Sequence, residues 1–443
     1  MIFSRFNIWA SVNDSLILYN TLTGALATFD SKNKEFTLKA LENSDVQYLN
    51  PEFYEGMTED GYVVDDDTDE FEGVRLAVRT RQSKTDEFSL CITLNRKCNF
   101  CCPYCFQSHN GKSLSTDGKM RIVRMFENIL GKAKKIELDW FGGEPLMSFK
   151  EMMRMNDYFT NASREHEVDY SYSITTNGYL LSDKVIDYLL QEKPSQITIT
   201  LDGPPEVHNL SRPLKKGKET FSVIFENIKK AVSAGLNVSI RVNVTSKNVG
   251  RIPELFDILE NNNLKNRVKV DLQAVVSSEA HPYEEFCLEG YELAHSVMAI
   301  YLEEAKKGWI VFPPAEDIRV LGFCIGEFPN RYITDLEGNI YKCPQMGENF
   351  SVGKVQENGE IKMDREANTL WIDKNPLIYG ECRSCSFLPL CMGGCNMKRI
   401  QNGKDYCSSI KHDIATFLEL LILNEENLSL LKENAELDSI SHP

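Results

Sequence analysis

Two things are scarce in this chain of 443 residues: basic charge, and any long stretch free of polar residues. No run of about 18 apolar residues occurs, so no segment is expected to cross a membrane as a helix. The nearest candidate, 417–423, is too short, contains Glu419, and gives way to Asn424, Glu425 and Glu426. The opening residues Met1-Ile2-Phe3-Ser4-Arg5 lack a basic start followed by an apolar core, so no secretory signal is expected and the expected location is cytoplasmic. Lys and Arg number 49 against 65 Asp and Glu, a net charge of −16. Such a chain is ill suited to gripping a phosphate backbone, which argues against nucleic acid as a partner. Internal repeats and low-complexity segments are also lacking.

What is present is an ordinary globular composition, 42% hydrophobic and 10% aromatic, in a chain long enough for about two to four domains. The exception is 13 cysteines. In a secreted protein these would suggest disulfides, but a cytosolic chain of this length needs no such staples. Metal or cluster ligation is the better expectation, and the spacings decide between them.

The segment before residue 88 reads as a small α+β unit. Strands are expected at 15–19 and 25–29 around a turn at 20–24, then a helix near 34–42, a Pro51-initiated helix start and an extended piece at 61–64. The acidic run 65–70 reads as a solvated hinge rather than an acidic docking surface. From 88 onward, β-branched runs at 90–94, 136–141, 170–175, 196–201, 238–244 and 268–276 alternate with helix-periodic stretches at 116–131, 149–163, 183–191, 220–234, 252–262 and 288–306. Such alternation implies a parallel sheet with right-handed crossovers. Six units make an incomplete (β/α)6 barrel, with its chemistry at the C-terminal ends of the strands. Residues 311–410 are loop-rich and cysteine-rich, and a closing amphipathic helix is expected over 411–434.

Cys98, Cys102 and Cys105 form a C-x3-C-x2-C loop directly after the first barrel strand. Three thiolates cannot saturate a four-iron cube, so one iron keeps an open site, as a catalytic zinc does with three protein ligands. An open iron can chelate the amino and carboxylate groups of S-adenosylmethionine, and one electron then splits its carbon–sulfur bond to release a 5′-deoxyadenosyl radical. Taken alone, the loop would also suit a zinc knuckle or a redox Cys-x-x-Cys pair, for which Cys101 offers a second register. It is not alone. Trp140-Phe141-Gly142-Gly143-Glu144-Pro145 ends the second strand, Thr175-Thr176-Asn177-Gly178 the third, and Thr200-Leu201-Asp202-Gly203-Pro204 the fourth, with His208, Arg212 and Arg241-Val242-Asn243 beyond.

With these motifs the chain, from about residue 88 to 410, resembles the radical S-adenosylmethionine (SAM) superfamily, and in particular its peptide-modifying branch. The resemblance implies that Tyr104, just before the last loop cysteine, reaches the adenine. It implies that Gly142, Gly143 and Glu144 bind the methionine ammonium, where glycines admit the backbone and a carboxylate accepts from the cation. It makes Thr200 and Arg212 the preferred contacts to ribose and methionine carboxylate, with Asn177 and Arg241 second. His208 is read as a structural hydrogen-bonding residue and Asp202 as a turn-former.

Farther on, Cys324 and Cys343 bracket Gly338 in a C-x13-G-x4-C arrangement, followed by Cys382-x2-Cys385-x5-Cys391-x3-Cys395 and then Cys407. This pattern is similar to the SPASM domain, a seven-cysteine extension of the superfamily; two separate zinc sites are the rival. By resemblance Cys382, Cys385, Cys391 and Cys407 close one auxiliary [4Fe-4S] cluster, and Cys324, Cys343 and Cys395 hold another. With the cluster on the first loop, the total is three. Cys287 is the one downstream cysteine left over, and it, Cys91 and Cys101 are read as packing residues. An open auxiliary iron could bind a substrate thiolate and accept an electron.

SPASM-containing relatives act largely on peptides, so the expected function is maturation of a ribosomally made peptide, by a thioether cross-link ahead of a carbon–carbon one. The expected partners are a precursor peptide with its leader and an electron donor such as ferredoxin or flavodoxin. Residues 1–87 look like the winged-helix-like leader-recognition element of such maturases, which adds an extended leader to a sheet edge; a dimerisation or lid role is the alternative. The competing activity is anaerobic sulfatase maturation, converting Cys or Ser to formylglycine. Those enzymes place an acidic base right after the G-x4-C cysteine, where this chain has Pro344. A non-enzymatic electron-transfer protein would lack a SAM pocket, and an enzyme of a small-molecule or quinone-cofactor pathway is a further alternative.

Overall fold

The computed structural model describes residues 1–108, 110–277, 283–288, 290–311, 324–345, 348–373, 376–378, 380–402, 407 and 409–441. The chain divides into two compact units: Met1–Ser83 with Glu289–Cys324 and Asp373–Pro443, and Lys84–Leu288 with Ile325–Ile372.

In the first unit, β1 (Ile2–Phe3) pairs with β5 (Val63–Val64), and β2 (Asn7–Val12), β3 (Ser15–Asn20) and β4 (Leu26–Phe29) form an antiparallel sheet in that order. The β2 strand was not expected from its sequence. Asn7 and Ser11 blur its alternation, and it becomes a strand by pairing residue for residue with β3 through a turn in which Asn13 takes φ 51°. Helices Ser31–Asn43, Pro51–Glu59 and Glu70–Gln82 follow, each started by a side-chain cap from Asp30, Asn50 and Asp69. Residues 65–69 of the acidic run are exposed and non-helical, and its last residue, Glu70, opens the third of these helices. Asp69 accepts from the Glu72 amide at 3.0 Å, and acidic residues at a helix N-terminus with Arg79 and Arg81 in its last turn suit the helix dipole. Glu70 also holds Ser4 Oγ at 2.5 Å and the Arg5 amide at 2.9 Å, so the acidic run ends as a structural clasp. Helix Ile414–Ser441 belongs to this unit and packs on β2 and β3, with Phe417 edge-on to Tyr19.

The second unit is built on β6 (Glu87–Thr93), β7 (Lys135–Phe141), β8 (Asp169–Thr176), β9 (Gln196–Thr200), β10 (Val238–Val244) and β11 (Lys269–Ala274), six parallel strands that lie side by side in chain order. Helices from Thr116–Leu130 to Ile252–Asn261 connect them, as the alternating pattern required. One face of the sheet is apolar and buried under helix residues such as Phe126, Phe159, Ile228 and Phe256; Leu90, Leu138, Trp140, Ile174, Ile199 and Val242 lie on it. The other face carries polar residues that are partly exposed, among them Ser89, Asp139, Ser173, Thr198 and Arg241. The sheet is a partial barrel, apolar outside and polar inside.

Beyond β6 the sheet does not stop where the sequence suggested. Arg331–Thr334 (β12) adds parallel to β6, and Asn339–Tyr341 (β13), Gly353–Val355 (β14) and Ile361–Met363 (β15) continue it antiparallel. Strands of three or four residues are too short to show a period of two, so they read as loop. They exist because the β6 edge offers unpaired backbone groups.

Candidate active site

Leu94 and Asn95 follow β6, and the chain then turns into the Cys98–Cys105 loop. Two devices seat this loop on the sheet. Asn95 is fully buried and donates from Nδ2 to the Glu144 carbonyl at 3.1 Å and to Ser148 Oγ at 3.0 Å. Gly142 and Gly143 take φ 89° and 43°, and a Cβ on Gly143 would stand 2.1 Å from the Lys97 carbonyl oxygen, so no other residue fits. The Glu144 amide donates to that same carbonyl at 2.7 Å, and the Gly143 amide to Gln107 Oε1 at 2.5 Å.

The Glu144 carboxylate is fully buried and fully used. It accepts from Thr176 Oγ1 at 2.6 Å, the Asn177 amide at 2.7 Å and the Leu146 amide at 2.9 Å, so it ties the end of β7 to the end of β8. Burial raises its pKa; those hydrogen bonds and Arg212 work against the rise. Asn177 in turn donates from Nδ2 to Asn99 Oδ1 at 2.8 Å and stands 3.9 Å from Cys98 Sγ.

At the end of β9 a second junction forms. Tyr104 and Asp202 are both buried, and the tyrosine hydroxyl donates to the Asp202 carboxylate. Arg212 Nη1 donates to the same hydroxyl at 3.0 Å, and the Asn243 amide donates to the Asp202 carboxylate at 3.0 Å. Burial raises the Asp202 pKa, with Arg212 opposing. His208 is fully buried, its Nδ1 accepts from the Asp202 amide at 3.2 Å, and burial holds its ring neutral. Thr200 is buried at the end of β9, opposite Arg241 in the register of β10. Arg212 and Arg241 each keep a buried Nε with no partner. Phe141 stacks on Phe106, Phe286 meets Tyr104 edge-on, and Tyr283 donates to the Cys105 carbonyl at 2.7 Å.

The three loop thiols suit ligation. Burial pushes Cys98 up to about 11 and Cys102 up to about 12, and raises Cys105 as well, while Arg212 opposes all three. The thiols also raise one another, as neighbours do, and a bound cation is what releases their protons. The Phe100 amide already donates to Cys98 Sγ at 3.4 Å. Among the described residues no three His, Cys, Asp or Glu side chains close around a single ion. Three thiols on one loop are a donor set of the kind that holds an iron–sulfur cluster, and the unsatisfied Nε atoms of Arg212 and Arg241 suit a polar ligand.

In the other unit, Cys382 lies in helix Gly380–Arg383, Cys391 ends helix Leu388–Cys391, and Arg399 of helix Asn396–Asn402 is buried and donates to the Met392 carbonyl at 3.1 Å. The Lys411 ammonium is held above its ordinary pKa by Cys385 first, then by Cys407 and Cys391, which places three of the four expected ligands of one cluster around one charge. Cys324 and Cys395 belong to this unit and Cys343 to the barrel unit. Residues that the sequence did not single out include Asn95, Asn99, Gln107, Asp139 and Arg331. An acid at an inward-facing position of a β-branched strand was the available signal for Asp139.

Residues 92–259 match the model of the Radical SAM superfamily. The cysteine-type anaerobic sulfatase-maturating enzyme of Clostridium novyi (strain NT) is 22% identical over 345 residues, which are 71% of this chain and 90% of that enzyme. Among solved structures, native anSMEcpe with bound AdoMet superposes with a TM-score of 0.61 at 20% identity, covering 76% of this chain and 99% of that one. Streptococcus suis SuiB bound to precursor peptide SuiA gives a TM-score of 0.51 at 15% identity, covering 89% of this chain and 95% of that one.

Proposed function

We propose that this chain, an enzyme of the radical SAM superfamily, matures a ribosomally made precursor peptide by closing a thioether cross-link within it, a carbon–carbon link being the next product in line. The observation that carries the reading is the folded unit ahead of the barrel. Its three-stranded sheet ends in β4, which pairs with β3 alone among the described residues, so the strand offers an edge to which an extended leader can add. SuiB, solved with a precursor peptide, covers 89% of this chain where anSMEcpe covers 76%. Pro344, in the place of an acidic base, also favours cross-linking over formylglycine formation.

Cys98, Cys102 and Cys105 would hold the SAM-binding [4Fe-4S] cluster, and together these groups supply a 5′-deoxyadenosyl radical when bound. The chain's own residues orient and shield that chemistry. Gly142 and Gly143 let the backbone close on the loop. Asn177 just after β8, Thr200 at the end of β9, Arg212 after the helix that follows β9 and Arg241 on β10 present donors. Tyr104 holds Arg212 until an anionic acceptor competes for it. Phe106, Phe141 and Phe286 supply apolar walls against water. Cys382, Cys385, Cys391 and Cys407 would hold an auxiliary cluster, and a ferredoxin or flavodoxin would deliver electrons. No described helix is long and apolar enough to cross a membrane.

A second reading, formylglycine formation in a sulfatase, is supported by the Clostridium relative that aligns over 71% of this chain. One experiment separates the two. Reconstituted enzyme is given S-adenosylmethionine, dithionite and either the short peptide encoded beside its gene or a cysteine-containing sulfatase peptide, and product masses are measured. Loss of two hydrogens from the neighbouring peptide is expected; a thiol-to-aldehyde change in the sulfatase peptide would replace this reading with the second.

A further inference from the structure

The polar inner face of the barrel carries a carboxyl for which the reading above has no use. Asp139 lies on β7, three residues before Gly142 and on the same face of the sheet as Thr200 and Arg241. One oxygen, Oδ1, accepts from Ser173 Oγ at 2.9 Å and Thr175 Oγ1 at 3.4 Å on β8; the other, Oδ2, stands 4.0 Å from Cys91 Sγ on β6. Arg331 of β12 and Arg241 of β10 act on it electrostatically from either side. Glu137, the other acid on the strand, is exposed and paired with Lys135.

Were Asp139 there only to neutralise the two arginines, direct ion pairs would be expected, because charges held apart forgo Coulomb energy that offsets their partial desolvation. Among the described residues neither arginine pairs with it, and both keep a buried Nε without a partner. The carboxyl is oriented on one side by two hydroxyls and left unpaired by any cation on the other. Burial raises its pKa, while Ser173, Arg331, Arg241 and Thr175 restrain the rise.

We propose that Asp139 is the proton acceptor of the cross-linking step, taking the proton of the substrate cysteine as its sulfur bonds to carbon. The inference rests on the peptide-maturation reading. Closing a thioether removes two hydrogens from the peptide. One leaves carbon as a hydrogen atom and converts the 5′-deoxyadenosyl radical to 5′-deoxyadenosine; the other leaves sulfur as a proton and binds Asp139. The C–H and S–H bonds break, a C–S bond forms, and the one surplus electron passes to an oxidised iron–sulfur cluster. Asp139 thereby meets the need for an acid–base group that Pro344 leaves open beside Cys343.

The test uses full-length reconstituted enzyme, S-adenosylmethionine, dithionite and the neighbouring precursor peptide, prepared deuterated. Asp139→Asn keeps the shape and the acceptor for Ser173 and Thr175. It should cross-link at least about 100-fold more slowly, the range of a lost general base, while deuterium continues to appear in 5′-deoxyadenosine. Wild type should lose activity toward low pH along a single-carboxyl limb. Ser173→Ala, which removes a hydrogen bond to the carboxylate form, should move that limb to higher pH and serves if the Asn variant folds poorly. Cross-linking by Asp139→Asn within about threefold of wild type, or an unmoved limb in Ser173→Ala, overturns the proton-acceptor role and leaves the maturation reading standing. A wild-type enzyme that makes 5′-deoxyadenosine yet leaves the peptide mass unchanged removes that reading, and this inference with it.

Discussion

The two cysteine-bearing regions are built in opposite ways. The Cys98–Cys105 loop is carried by a sheet that exists without it: Asn95, Glu144 and Asn177 lock the ends of three strands together, and the thiols hang from that frame. Residues 380–402 contain only helices of four to seven residues, packed around the buried Arg399, whose Nη1 would lie 2.0 Å from a Cβ on Gly393. Helices so short have little stability of their own. The first region therefore positions its thiols by its own fold, whereas the second would gain much of its order from whatever its thiols bind.

That contrast can be broken most decisively with cysteine substitutions. Removing a residue that merely supports a metal ligand costs roughly 10–100-fold, so Cys102→Ala should lower 5′-deoxyadenosine formation by more than about 100-fold. Cys385→Ala should leave this half-reaction measurable while abolishing the peptide product. Equal loss in both variants, read by chromatography of 5′-deoxyadenosine, would erase the distinction.

A smaller effect is expected on stripping iron with a chelator under anaerobic conditions. Hydrogen exchange of residues 380–402 should accelerate by at least about tenfold, the signature of roughly 1.4 kcal/mol of lost protection, while β7 and β8 stay protected. Uniform acceleration would mean that the barrel, too, depends on a bound cluster.

The smallest effect concerns the frame itself. Glu144→Gln replaces a buried carboxyl that accepts three hydrogen bonds, at a cost of about 1–3 kcal/mol in unfolding free energy measured by urea titration. Because the folded-state pKa of Glu144 is raised, its contribution is full below the unfolded value and declines as pH rises through the folded one. The gap between wild type and Glu144→Gln should therefore be wider at pH 5 than at pH 8. A gap that widens with pH would show that hydrogen bonding to the carboxylate outweighs its burial.

Much of the barrel was legible because its signals are local. Strand Val238–Val244 falls where the β-branched run lies, and helix Thr116–Leu130 starts one residue after Ser115, whose side chain caps it. The Gly142-Gly143 turn and the three loop cysteines were legible for the same reason, since each needs a particular residue at a particular spacing. Less legible were elements with a partner distant in the chain. The β12 strand is a strand because the β6 edge accepts it, and helix Glu70–Gln82 was hidden by the charge that starts it. Packing also decides what the Glu144 carboxylate holds, since it accepts from Thr176, Asn177 and Leu146, contacts that no motif announces.

By itself the sequence determined the alternation of strand and helix, the cysteine sets and their placement after particular strands, because residue type and periodicity within a few turns of chain decide these. Only the tertiary structure decided that Tyr104 meets Asp202 and Arg212, and that Asp139 faces arginines from β10 and β12. The reason is geometric. A parallel sheet that curves into a partial barrel turns every second residue of distant strands toward one interior, and which of those side chains touch depends on register and curvature, not on spacing along the chain.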